Sequence, residues 1–134
     1  MMISQNPKIL AVDDRPDNLF MLGIILDEEH YQLTCVESGR EALAEVESNP
    51  PDLILLDVMM PEMNGYEVAR YIRQNLAIAD IPILLLTAHD ELDSQKELEA
   101  GTNGLLQKPY DISELIDRVQ DLLIGSQKEK CEAF

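Results

Sequence analysis

Basic residues are scarce in this chain: 10 lysines and arginines stand against 26 aspartates and glutamates, a formal net charge of −16. Binding to a phosphate backbone rests on clustered cations, so a nucleic-acid role is excluded, and the same charge repels an anionic membrane. Long hydrophobic runs are also missing. The longest, residues 19–26, falls well short of the roughly 20 residues that a bilayer span needs. No signal-type apolar core follows Lys8, the one basic residue near the N-terminus. There are 2 cysteines, Cys35 in an apolar run and Cys131 in a polar tail, which suits a reduced, cytoplasmic protein more than a disulfide framework. Glycine-rich nucleotide loops, Cys/His clusters and a Ser-His-Asp pattern are absent, and His30 and the lone His89 read as solvated. A soluble protein that meets protein partners and cations is what these absences leave.

What is present is an alternation. At 134 residues and 46% hydrophobic content the chain suits one domain with a real core. Five apolar runs, at residues 8–13, 32–36, 53–57, 83–87 and 104–107, alternate with five segments of helical character. The third and fourth runs are continuously apolar, as expected of central strands covered on both faces, while the second is weaker and belongs nearer an edge. Ser38 before Glu41, Asn64 before Glu67 and Asp111 before Glu114 each place a capping side chain three residues ahead of a glutamate. In the last helix Ile112, Leu115, Ile116, Val119, Leu122 and Leu123 fall on one face. The first helix, from about Asp17, is apolar nearly all round, which is assigned to core packing, with a surface for a partner as the alternative. The segment 91–100 buries least and is expected to be the least anchored helix.

Short connections between alternating strands and helices predict an α/β fold, an open, doubly wound parallel sheet with helices on both faces. Ligands of such sheets bind beyond the carboxyl ends of the strands. Asp13 and Asp14 end the first run, Asp57 the third and Thr87 the fourth, and Lys108 with Pro109 follows the fifth. Groups distant in sequence therefore converge on one crevice. Two like charges at 4 Å repel by roughly 4 kcal/mol at an effective dielectric of about 20, so three carboxylates there need a cation. Mg²⁺ fits, since it takes a few carboxylates and leaves room for a phosphoryl oxygen. Asp57, at the end of a strand of leucine and isoleucine, suits a nucleophile toward phosphorus. Thr87 can hydrogen-bond a phosphoryl oxygen, with small Ala88 leaving room, and Lys108 can neutralise Asp57 and then the transferred group. Pro109 sets a rigid turn, by a cis bond if need be.

With Val12-Asp13-Asp14, Asp57-Val58-Met59-Met60-Pro61 with Gly65, Leu86-Thr87-Ala88 and Lys108-Pro109 in this order, the chain resembles the receiver domain of bacterial response regulators, CheY-like proteins of two-component systems. The resemblance covers residues 8–124, leaving 1–7 as an N-terminal extension and 125–134 as a tail expected to fray. It implies a flavodoxin-like (βα)5 fold with strand order 2-1-3-4-5. It implies that Asp57 accepts phosphate from a sensor histidine kinase or a histidine phosphotransfer protein. Asp13, Asp14, Asp57 and the backbone carbonyl of Met59 would hold Mg²⁺, or Mn²⁺ in its place, with Asp13 acting partly through water. Thr87 and Lys108 would contact the phosphoryl group. Specificity toward the kinase would lie on the first helix and nearby loops. Thr87 would then move inward and repack the face of the fourth helix, fifth strand and fifth helix, switching contacts with an unknown downstream protein in a monomer or homodimer.

Two positions depart from or vary within that pattern. Leu105 stands where receivers usually carry Tyr or Phe, so an aromatic readout on that face is not expected. Met59 and His89, two residues past Asp57 and Thr87, occupy positions that tune water access, and apolar Met59 points to slow hydrolysis. With no effector segment after Ile124, the output expected is a protein contact or a phosphate relay; the alternative is the N-terminal receiver of a longer regulator. A small Mg²⁺ phosphatase with an aspartate nucleophile would need a second acid where Met59 stands. A flavodoxin-like nucleotide binder would need a glycine- or hydroxyl-rich loop where Asp13-Asp14-Arg15-Pro16-Asp17 stands.

Overall fold

A computed structural model describes residues 6–27, 29–88 and 94–132. Strands β1 (Lys8–Val12), β2 (Gln32–Val36), β3 (Leu53–Asp57), β4 (Ile83–Ala88) and β5 (Gly104–Lys108) alternate with helices α1 (Pro16–Asp27), α2 (Gly39–Ser48), α3 (Gly65–Gln74), α4 (Ser94–Ala100) and α5 (Ile112–Glu132). All neighbouring strands are parallel, in the order β2-β1-β3-β4-β5. The fold is the expected one. β3 is buried at every residue, and β2 lies at an edge with Gln32, Thr34 and Cys35 open to solvent. Residue 89, in the histidine assigned to solvent, and residues 91–93 of the expected fourth helix lie outside the described residues.

Successive strand residues point to opposite faces, and this period of two builds two cores. Ile9, Ala11, Leu53, Leu55, Leu84, Leu86 and Leu106 pack against Leu19, Leu22 and Leu26 of α1 and Leu115, Val119 and Leu123 of α5. Leu10, Val12, Ile54, Leu56, Ile83 and Leu85 face the other way, toward Ala42 and Val46 of α2, Val68 and Ile72 of α3 and Ala100 of α4. Two of the three caps form as their spacing predicts. The Ser38 side chain accepts from the Glu41 N–H, and Asn64 and Glu67 make a reciprocal capping box. Before α5, Asp111 instead accepts from the Ser113 N–H at 2.8 Å.

Three expectations are corrected. Core packing accounts for only part of α1: Phe20, Met21 and Ile24 are 72%, 53% and 51% exposed, because a helix lying on a sheet can turn only one side toward it. Ile112 is also exposed, since as the first residue of α5 it stands beyond the sheet rather than over it. α5 runs past Gly125 to Glu132, through the segment expected to lack a regular pattern. A glycine inside a helix costs only about 1 kcal/mol relative to alanine, which neighbouring helical turns can offset.

A candidate phosphoryl and metal site at the strand ends

The parity that divides the cores also aims the site. Asp13 follows Ala11 by two residues, Asp57 follows Leu55, and Lys108 follows Leu106, so all three side chains share the α1 and α5 side of the sheet. Their strands β1, β3 and β5 finish at the same end, and the Asp13 N–H is tied to the β2 end by a 3.2 Å bond to the Val36 carbonyl. Asp13 is 2% exposed and Asp57 6%, both deep for carboxylates. Lys108 Nζ lies 3.3 Å from Asp13 Oδ2 and 3.3 Å from Asp57 Oδ1, bridging them from 95 and 51 residues away in sequence. Burial alone would lower the Lys108 pKa; the charges of Asp57 and Asp13 outweigh it and raise the value. The lysine therefore stays charged while it bridges the pair.

Asp14 completes the cluster. One carboxylate oxygen each from Asp13, Asp14 and Asp57 lie within 4.8 Å of one another, close enough for the three to hold a single cation directly or through water. Hard oxygen donors with no sulfur or imidazole suit Mg²⁺ or Mn²⁺ rather than zinc. The donors that are present thus fit the metal. Met59 lies two residues past Asp57 in the loop before α3, its side chain exposed.

Two groups shape the rim. Thr87 has the opposite parity, following Leu85 toward the α4 side; it is fully buried and its hydroxyl donates to the Ala88 carbonyl at 3.2 Å. Gly65, the first residue of α3, donates its N–H to the Val58 carbonyl at 2.8 Å. A Cβ there would overlap the Asp57 carbonyl oxygen and lie 3.0 Å from Val58 Cα, so only glycine lets α3 start against the strand that carries Asp57. The Lys108–Pro109 bond is cis.

Two residues absent from the sequence-level site also meet it. Asn18, in the first turn of α1, donates its side-chain amide to Asp13 Oδ2 at 2.9 Å. Tyr110 stands beside Lys108 and Asp13; burial first, and the Asp13 charge next, raise its pKa against the opposing effect of Lys108. Both were detectable only as polar residues close in sequence to a strand-end acid or base. From the acids a cleft of about 380 Å³ opens past Met21, Ile25, Tyr110 and Ile112.

Residues 9–120 match the family model of the response regulator receiver domain. The DNA-binding response regulator MtrA of Mycolicibacterium smegmatis is 38% identical over 132 residues, 98% of this chain and 57% of that protein. The chain thus spans about half the length of the curated relatives it matches. Among solved structures, the receiver domain of a signal transduction histidine kinase from Syntrophus aciditrophicus is 37% identical, with a TM-score of 0.82 over 89% of this chain and 91% of that one. The receiver domain of the sensor histidine kinase PA1611 from Pseudomonas aeruginosa PAO1, with magnesium coordinated in its active-site cleft, is 33% identical, with a TM-score of 0.80 over 88% of this chain and 98% of that one.

Proposed function

The chain belongs to the response regulator receiver domain family of phosphorylation-based two-component signalling, and from that premise we propose that Asp57 is its phospho-acceptor. The observation that carries the proposal is Asp57 itself: buried at a strand end, in ion-pair contact with Lys108 and grouped with Asp13 and Asp14. A carboxylate oxygen of Asp57 forms a bond to phosphorus as the bond from phosphorus to a partner's imidazole nitrogen breaks, the bonding pair leaving with the imidazole. Lys108 turns from the carboxylates to the phosphoryl oxygens, and the Thr87 hydroxyl leaves the Ala88 carbonyl to donate to one of them. Asp14, Asp57 and the Met59 carbonyl, with Asp13 partly through water, would hold Mg²⁺, which would supply positive charge to offset that on the transferring group.

The phosphodonor is a histidine kinase or a histidine phosphotransfer protein. Supporting that partner, the cleft beside Asp13 is lined in part by apolar side chains, Met21 among them, and the same helix leaves Phe20 and Ile24 exposed, a surface suited to an apolar helix that carries a phosphohistidine. On the opposite rim Thr87 sits next to β5, where Leu105 packs into the α3 and α4 core and the Leu105 carbonyl accepts from Arg118 Nη2 at 2.7 Å. Repacking there, without an aromatic side chain, passes the switch to a downstream protein. The DNA-binding relatives, of which this chain covers about half, favour a second reading in which the receiver is one part of a longer regulator.

Incubation with acetyl phosphate and Mg²⁺, followed by intact mass, tests the acceptor. The wild type gains one phosphoryl group, and Asp57→Asn gains none. An adduct that survives the substitution, or that forms equally well in excess EDTA, sinks the assignment.

A further inference from the structure

The two adjacent acids of β1 are treated differently by the fold. Asp13 Oδ1 accepts from the Arg15 N–H at 2.9 Å, and Oδ2 accepts from Asn18 Nδ2 at 2.9 Å as well as facing Lys108 Nζ at 3.3 Å. Asp14 accepts no hydrogen bond among the described residues. One carboxylate is braced on both oxygens; its neighbour is left to a cation. We propose that Asn18 is a positioning residue of the metal site, holding Asp13 in the orientation in which it shares Mg²⁺ with Asp14 and Asp57. This inference rests on the function proposed above.

The residue type matters as much as the contact. Asp13 needs a donor that persists when Lys108 moves to a phosphoryl group, since a buried carboxylate stripped of its donors is costly. A lysine or arginine at position 18 would supply one and would also repel a divalent cation nearby. The amide donates without a charge. It is placed by α1, whose first turn brings Asn18 back over the strand end, where the Asn18 N–H bonds the Arg15 carbonyl at 3.0 Å. Partners that orient metal ligands from outside the coordination sphere typically change metal affinity by about 10–100-fold when lost.

The test uses Asn18→Leu, which keeps the volume and loses the donor, and Asn18→Gln, which keeps a donor. Mg²⁺ alone is titrated into ¹⁵N-labelled protein while the amide shifts of Asp14 and Asp57 are followed. The Leu variant is expected to need about tenfold more Mg²⁺ at its midpoint, and the Gln variant to recover most of that loss. Asn18→Ala, also without a donor, replaces the Leu variant if that one does not fold. A donor-free variant that titrates like the wild type overturns the inference, as does a Gln variant as weak as the Leu. A wild type that binds Mg²⁺ without gaining a phosphoryl group at Asp57 removes the proposed acceptor and leaves the role of Asn18 standing on the titration. A wild type that does not respond to Mg²⁺ overturns both.

Discussion

Helices α1 and α3 lie on opposite faces of the same sheet and begin close to the same crevice, yet they are built to different ends. α3 turns Tyr66, Val68, Ala69 and Ile72 inward, and its outer face carries Glu67, Arg70 and Gln74, with Tyr71 its one large apolar side chain left exposed. Its flanks are fastened as well. Arg73 donates to the carbonyls of Ala79, Ile81 and Gly101 and to Asn103 Oδ1, at 2.7–3.0 Å, so the α3 end, the following loop and the turn before β5 are held together. α1 buries Leu19, Leu22, Ile25 and Leu26 and leaves Phe20, Met21 and Ile24 facing water. Apolar surface beyond the needs of the core is a cost to solubility that binding to a partner offsets. α3 is fastened on its sheet side and at its end; α1 is support on one side and open apolar surface, the proposed docking face, on the other.

The contrast breaks most sharply in the core of α3. Ile72→Ala should lower unfolding free energy by about 2–5 kcal/mol, since Ile72 is fully buried; urea denaturation measures it, and a loss below 1 kcal/mol would mean that this face is looser than the packing indicates. Gly65→Ala comes next. The added methyl meets backbone at the end of β3, and a loss of about 1–3 kcal/mol is expected from the forced shift. Because the shift falls on Asp57, phosphorylation by acetyl phosphate should slow as well. Asn64→Ala, which removes the capping box, should cost about 1 kcal/mol, read as a lower melting temperature with the phosphorylation rate retained.

At the small end, Phe20→Ser and Ile24→Ser should change stability by no more than about 0.5 kcal/mol. Their effect belongs in transfer: phosphorylation from a phosphohistidine protein should slow by about tenfold, the equivalent of 1.4 kcal/mol of lost contact, while the rate with acetyl phosphate stays at the wild-type value. Equal slowing with both donors would show that α1 acts on the site itself rather than on the docked partner.

Much of this molecule is legible in its residues for simple reasons. Continuous apolar runs such as 53–56 and 83–86 can only be central strands, and parallel strands must finish together, so Asp13, Asp57 and Lys108 had to meet at one end of the sheet. Capping boxes are local and read directly from spacing, as at Asn64 and Glu67. Less legible were contacts that depend on how a helix is rotated on the sheet. Nothing in residues 16–27 says which of seven large apolar side chains face inward, because nearly all of them would serve. Asn18 was passed over for the same reason: its amide reaches Asp13 only because α1 turns that edge toward the strand end.

By itself, then, the order of residues determined the alternation of elements, the central and edge strands and the gathering of acids with one lysine, since each follows from periodicity or from chain direction. The tertiary structure alone decided which part of α1 stays open, how Gly65 seats α3 against Asp57, and that Asp13 is braced where Asp14 is not. Those outcomes depend on distances of a few tenths of an ångström between segments far apart along the chain, and no local pattern of residue types carries that information.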